Sequence, residues 1–326
     1  MSAPARVLLI GGSGFIGTRL CARLLDEGWS VRIADKAPSA RFPALRVACD
    51  VRSPEQLRDA CRDVDVVVNL AAEHRDDVRP LSLYDEVNVQ GARNVCEAAT
   101  EAGVRRLIFT SSVAIYGFAS EERHEESPAR PFNDYGRTKW EAEGIYRSWV
   151  AESPERSLVV VRPTVVFGEG NRGNVFNLVR QIASGRFVMI GDGRNRKSVA
   201  YVENVAAFLV ACHSLGAGEH VFNYADKPDW DMNGFVAAVR RGLGRDPRVG
   251  LRLPRPLGLA AGAAFDLVAR VTGRSFPVSA VRVRKFTENT RIGADRVAAT
   301  GFRPPVGLDE ALGRFLAAEF RGAPGR

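Results

Sequence analysis

Tyr135 and Lys139 stand four residues apart in NDYGRTKW, residues 133–140, a spacing that puts both on one face of a helix. A lysine ammonium beside a phenol favours phenolate and lowers the phenol from its ordinary value of about 10. A tyrosine tuned in this way takes the proton of an alcohol while hydride leaves the same carbon. The same spacing also describes an ordinary solvated helix face, so its meaning depends on its surroundings. Upstream, Arg106–Thr110 reads as a strand that runs into Ser111 and Ser112. Hydroxyls then stand at a carboxyl-terminal strand end; Ser112 suits a hydrogen bond to the reacting oxygen, and Ser111 suits a turn cap.

Such a group needs a scaffold of strands feeding helices. Strands are expected at Val7–Ile10, Val31–Ala34, Arg46–Ala48, Val64–Leu70, Arg106–Thr110 and Leu158–Arg162, with helix-patterned segments after most of them. This alternation predicts βαβ units and an α/β fold, a doubly wound, Rossmann-like parallel sheet covered on both faces. After Pro163 the pattern loosens. A helix over Val175–Ser184, a glycine turn at 191–195, a helix over Glu203–Leu215 and a strand at Glu219–Asn223 follow. The chain of 326 residues therefore divides, on expectation, into a nucleotide-binding domain of residues 1–163 and 199–224 and a smaller interleaved C-terminal substrate lobe of 164–198 and 225–326. The ligand cleft belongs between them, beyond the carboxyl ends of the strands.

VLLIGGSGFIGTRL is a buried strand, a tight turn and a helix start. Gly11 or Gly12 and Gly14 let the backbone approach a pyrophosphate, Phe15 and Ile16 open the helix, and Gly17 lets that helix lie on its strand. Asp35 ends the next strand, where an acid meets the adenosine ribose hydroxyls and repels a 2′-phosphate. NAD is thus favoured over NADP, although Lys36 beside it weakens the preference. Asp50 and Val51, after the third strand, are read either as an adenine contact or as a plain strand-end turn.

Composition removes other classes. Five scattered cysteines without CxxC spacing argue against a disulfide framework or a zinc site, and fit a reducing cytoplasm. EHRDD, residues 73–77, lacks metal-ligand spacing; no metal is expected, and His74 and Arg75 are read as substrate contacts on a loop. The first apolar stretch is too short for a signal peptide and reads as a strand. A net charge of +8 comes from basic residues interspersed with acids, which favours an anionic small substrate or membrane surface over nucleic acid. The apolar segment 251–274 is broken by Asp266 and too short to span a bilayer. A core helix of the small lobe is its plain reading, and an interfacial helix on anionic lipid the sharper one.

Taken together, the GGSGFIG turn, Asp35, Asn69-Leu70-Ala71-Ala72, Asn88, SSVAIYG, Tyr135 with Lys139, and Arg162-Pro163 resemble the extended short-chain dehydrogenase/reductase family, in particular its sugar epimerases and dehydratases. The resemblance covers nearly the whole chain. It implies Ser112, Tyr135 and Lys139 as the catalytic set, with Lys139 also holding the nicotinamide ribose, and Leu70, Ala71, Ala72, Asn88 and Pro163 at the cofactor. It also suggests a homodimer through helices that include the Tyr135/Lys139 segment.

Within that family, residues 70–95, 171–205, 224–233 and 278–286 are similar to bacterial 4-epimerases that act on N-acetylglucosamine carried on undecaprenyl diphosphate, a step in surface polysaccharide synthesis. Many nucleotide-sugar epimerases carry Arg-Asp where this chain has Lys197-Ser198. The departure keeps one cation for a diphosphate and weakens UDP recognition. Arg172, Asn174, Arg196, Lys197, Arg284 and Lys285 are the substrate-side candidates, the cations for a diphosphate. A UDP-sugar 4-epimerase, a nucleotide-sugar dehydratase or reductase, and a non-catalytic NAD-binding scaffold remain as alternatives. Val113-Ala114 stand where a dehydratase needs an acid pair, and a scaffold would be expected to lose the Tyr/Lys pair. The expected location is the cytoplasm, with possible peripheral contact at the inner face of the membrane.

Overall fold

A computed structural model describes residues 5–75, 78–118, 121–272 and 280–320. Strand β1 (Arg6–Ile10) shows how the sheet is built: Val7 and Leu9 face one helical layer, Leu8 and Ile10 the other, and all four are buried. A strand buried on both faces reads as an unbroken apolar run, which is why it is visible in the sequence. Helix α1 (Phe15–Asp26), β2 (Ser30–Asp35), β3 (Arg46–Ala48), α2 (Pro54–Cys61) and β4 (Val66–Asn69) follow. The chain then enters a short helix α3 (Ser82–Tyr84), widens into a π-helical turn at Asp85–Gln90 and continues as α4 (Gly91–Glu101). Strand β5 (Arg106–Thr110), a 3-10 turn (Val113–Tyr116), helix α5 (Asp134–Ala151) and strand β6 (Ser157–Pro163) complete the first half.

The second half returns to the sheet only once. Strand β7 (Val165–Phe167), α6 (Asn174–Ala183), β8 (Met189–Ile190), β9 (Arg196–Tyr201) and α7 (Val202–Ala211) lead to β10 (Gly218–Tyr224), which pairs in parallel with β6. Strand β11 (Asp226–Asp231), α8 (Met232–Gly242), β12 (Arg252–Leu253), α9 (Arg255–Thr272), α10 (Ala280–Thr287), α11 (Asp295–Ala299) and α12 (Leu308–Phe320) follow. The main sheet has seven parallel strands in the order β10-β6-β5-β4-β1-β2-β3. This is the doubly wound α/β arrangement. A separate apolar cluster, including Phe176, Val179, Phe235 and Phe315, joins α6, α8 and α12 to the small sheet β11-β9-β7.

The expected β4 run of Val64–Leu70 is shortened at both ends to Val66–Asn69, and the helix expected over Glu203–Leu215 ends at Ala211 in a 3-10 turn. The core-helix reading of 251–274 is corrected. Most of the described positions of α9 face outward, with Leu257 57% and, just ahead of the helix, Leu251 71% exposed. Its anchorage is local: Gly258 lies so close to Ile190 that a β-carbon there would be 2.6 Å from the Ile190 side chain. No described helix is long and apolar enough to cross a membrane.

His213 is buried, with its ring centroid 4.6 Å from that of Trp29. Burial and the nearby Arg106 push it down to about 4. The unfolded chain takes up its proton near the ordinary value of about 6.5, so acidification between those two values favours unfolding. Wild-type protein is expected to lose on the order of 2 kcal/mol more than His213→Leu between pH 7 and pH 4.5, measured by denaturant titration at both pH values.

Candidate active site

The turn after β1 forms a cradle for an anion. Gly11 has φ +77, and a β-carbon on it would lie 2.7 Å from the Ala71 backbone nitrogen. One turn into α1, a β-carbon on Gly17 would lie 2.6 Å from Gly12 Cα. Gly14 caps α1 with no side-chain hydrogen bond and the first turn holds no acid, so its N–H groups face the cleft uncommitted to side chains. The Asp35 carboxylate accepts from Ser13 N–H at 3.0 Å and Ala37 N–H at 2.9 Å, which ties the end of β2 to this turn. These features fit a dinucleotide, with Gly11, Gly14, Phe15, Ile16, Gly17, Asp35, Asp50, Val51, Leu70, Ala71, Ala72 and Pro163 all on the cleft wall. Gly11→Ala is expected to weaken NAD binding by about tenfold or more, because an alanine resists positive φ and meets Ala71. Calorimetric titration reads the affinity, and thermal unfolding checks that the variant is folded.

Around the reacting end, short contacts bring three side chains together. Ser112 caps the 3-10 turn and its Oγ accepts from Ala114 N–H at 3.1 Å. Asn133 caps α5, accepting from Gly136 N–H at 3.0 Å. A β-carbon on Gly136 would lie 2.5 Å from the Ala114 carbonyl oxygen, so the start of α5 presses on that turn. The Tyr135 hydroxyl and the Ser112 hydroxyl are consequently neighbours. Lys139 follows one turn later, buried, with Nζ donating to the Thr110 carbonyl at 2.8 Å and lying 4.6 Å from the Phe109 ring centroid.

The electrostatics differ from the expectation that Lys139 would lower the phenol. Burial pushes the Tyr135 phenol up, and the neighbouring Ser112 hydroxyl is the contact that pulls the other way. Burial also pulls the Lys139 ammonium down to about 7, opposed by Glu143 one turn further along α5. Desolvation of this depth brings the Lys139 ammonium near its point of protonation change at neutral pH and keeps the Tyr135 phenol protonated. That is a proton-transfer setting, reached by desolvation more than by the lysine charge.

Behind the pair lies a buried ionic network. Glu143 accepts from Ser111 Oγ at 2.6 Å and from Arg162 Nε and Nη2 at 2.9 and 2.6 Å. Arg162 Nη1 donates to the Tyr116 hydroxyl at 2.6 Å. Sequence reading placed Ser111 as a turn cap and assigned Glu143 no role; YxxxKxxxE spacing on one helix face was the available signal.

The cleft, of about 1290 Å³, runs from Asp35 and Asp50 past His74 and Ser112 to Asn174 and Lys197. Several candidates are elsewhere. Asn88 sits behind the wall, accepting from Glu73 N–H at 2.9 Å and donating to Glu73 O and Thr138 Oγ1, so it braces the 70–74 loop against α5. Arg75 is 72% exposed beside Glu73. Arg172 pairs with Glu319 at 3.3 Å and covers the Phe176 ring. Arg196 is exposed on β9, and Arg284 lies over the Phe118 ring, 3.8 Å from Glu288. These four arginines do not line the cleft, and the Lys285 side chain lies outside the described residues. The cation missed from sequence is Arg180, which lines the cleft from α6 with Asn174, Asn177 and Gln181. Lys197 is pulled down to about 8 by burial and donates to Glu288 O and Thr290 Oγ1.

A parallel seven-stranded sheet with this cradle and this tyrosine defines a class: the chain belongs to the NAD dependent epimerase/dehydratase family, which matches residues 7–225. Within it, the chain is 47% identical over 316 residues, 96% of its length and 95% of the relative's, to an N-acetyl-alpha-D-glucosaminyl-diphospho-ditrans,octacis-undecaprenol 4-epimerase of Escherichia coli. It is 30% identical over 95% of its length to a UDP-glucose 4-epimerase of Vibrio cholerae, covering 94% of that protein. Among solved structures, the UDP-glucose 4-epimerase of Thermus thermophilus in complex with NAD superposes with a TM-score of 0.73 at 26% identity, covering 98% of this chain and 100% of that one.

Proposed function

We propose that this chain interconverts N-acetylglucosamine and N-acetylgalactosamine carried on undecaprenyl diphosphate, by reversible epimerisation at C4. The observation that carries the reading is the 47% identity to the Escherichia coli lipid-linked epimerase across almost the full length of both chains, which includes the loops and lobe that line the cleft's second half. NAD, when bound, would supply the hydride acceptor for C4 and, once reduced, the hydride donor. Tyr135 takes the proton of the 4-hydroxyl and later returns it, Ser112 holds the same oxygen, and Lys139 sets the charge around them. The 4-keto sugar turns over in the cleft between the two proton transfers, so no net oxidation results.

On this reading residues 1–163 and 199–224 hold the cofactor, and 164–198 and 225–326 hold the substrate. Lys197 and Arg180, with Asn174 beside them, anchor the diphosphate while the sugar rotates. The apolar mouth, where Val165 and Val188 line the cleft and are exposed, suits a lipid-linked substrate. Exposed Leu251 and Leu257 next to Arg252 and Arg255 suit peripheral contact with anionic lipid, and exposed Trp140 on α5 suits a homodimer.

The test is to incubate the protein, without added cofactor, with N-acetylglucosaminyl diphosphate undecaprenol and separately with UDP-N-acetylglucosamine, then resolve the released sugars. Galactosamine from the lipid substrate alone supports the proposal. Conversion of the UDP sugar alone makes the chain a nucleotide-sugar epimerase, and no epimer from either removes the epimerase reading.

A further inference from the structure

Two buried hydroxyls on the cleft wall have no partner. Thr110, the last residue of β5, is 6% exposed, and Thr164, the first residue after β6, is 5% exposed. Both line the cleft, and neither Oγ1 has a hydrogen-bond partner among the described residues. Their backbones are satisfied: Thr110 O accepts from Lys139 Nζ at 2.8 Å and Thr164 N–H donates to Tyr224 O at 3.0 Å. Neighbouring side chains are satisfied as well. Ser111 donates to Glu143, Ser112 accepts from Ala114 N–H, and Thr138 donates to Asp134 O at 2.8 Å. A buried hydroxyl left unpaired carries a desolvation cost that a bound group would relieve.

We propose that Thr110 and Thr164 are ligand-binding residues that hydrogen-bond an uncharged amide or hydroxyl at the reacting end of the cleft. A threonine hydroxyl both donates and accepts but has no charge, so it suits a carboxamide, a sugar hydroxyl or an acetamido group better than a phosphate. The place along the cleft agrees: Thr110 is bonded through its own carbonyl to Lys139 and directly precedes Ser111 and Ser112, on a strand separated from β1 and its glycine cradle by β4. The inference rests on the reading that this cleft holds NAD. Two sources then offer the matching chemistry, the cofactor's carboxamide and the sugar.

Thr110→Val, Thr164→Val and the double variant keep shape and remove the hydroxyl. Ser157→Ala serves as control, since its hydroxyl is also buried and unpartnered but lies outside the cleft. Unfolding of the free protein is expected to be unchanged or shifted slightly upward in the threonine variants, because no hydrogen bond is lost. NAD affinity, or KM for the lipid-linked sugar, is expected to worsen by about two- to tenfold per hydroxyl. Loss for NAD with none for ADP-ribose, which lacks the nicotinamide, places the contact on the carboxamide. Unchanged NAD binding with a raised KM places it on the sugar. The proposal is overturned if the variants match wild type in NAD binding and in KM, if ADP-ribose binding falls as much as NAD binding, or if the free protein is destabilised as by loss of a paired hydroxyl. Wild-type protein that binds neither nucleotide would sink the cofactor reading, and this inference with it.

Discussion

Tyr135→Phe is expected to lower kcat by about a thousandfold while leaving NAD bound. The substitution removes one hydroxyl from a residue in the first turn of α5, beside Ser112, so the cleft keeps its shape. What disappears is the acceptor for the 4-hydroxyl proton, and positioned proton transfer contributes on the order of a hundred- to ten-thousandfold. The phenol is not a ready phenolate in the free protein, since burial pushes it up; its activation must come with the ligands that fill the site. Ser112→Ala keeps the phenol and should cost less, about tenfold, because it removes a hydrogen bond to the reacting oxygen and not the proton acceptor. Steady-state sugar analysis over a range of substrate concentrations gives kcat and KM, and nucleotide released by acid denaturation gives NAD content. A Tyr135→Phe variant with wild-type kcat and a raised KM would reduce Tyr135 to a binding group and end the mechanism proposed here.

The inner strands β1, β4, β5 and β6 were legible because they are buried on both faces, whereas edge strand β3 is largely exposed and shows only as a short run around Val47. Arg46–Ala48 and Arg106–Thr110 were bounded correctly from sequence, and β1, β2, β6 and β10 differ from expectation by one residue at an end or at both ends. Strands β8 and β12 are two residues each and pair with one another, while β11, DKPDWD, has no apolar alternation; contacts between distant segments create them, and local pattern carries no trace. The same division holds in the site. Glycines and the Tyr/Lys pair are constrained by backbone approach and helix geometry, which spacing reveals. The direction of a surface arginine is set by neighbours: Arg172 is drawn to Glu319, while Arg180, eight residues on and over the same Phe176 ring, lines the cleft. Nothing in the residue type separates the two. Lys139 was expected to act through its charge, and burial, invisible in a spacing argument, instead brings that charge down to about 7.

Glu143→Leu is expected to destabilise the protein by about 3–5 kcal/mol, a large share of the roughly 5–15 kcal/mol that holds a domain folded. The Glu143 side chain is fully buried and receives bonds from Ser111, Arg147 and twice from Arg162. Removing it leaves the Arg162 guanidinium, 2% exposed, with Tyr116 and the Glu125 carbonyl as its remaining hydrogen-bond partners among the described residues, neither of them a carboxylate that would offset its burial. The attraction within the pair is not the main quantity lost, because removing two charges from water already cancels much of it; the unpaired cation is. Glu143→Leu combined with Arg162→Met should therefore recover most of the lost stability. Urea titration of both single variants and the double reads the coupling. Recovery would show that the pair's service is geometric, fixing α5 against β6 so that Ser111, Tyr135 and Lys139 keep their register. A double variant as unstable as Glu143→Leu alone would instead mean that Ser111 and Arg147 depend on the carboxylate itself. In the first case the double variant should fold but turn over slowly, since a stable α5 without its polar anchor no longer fixes Tyr135 against Ser112.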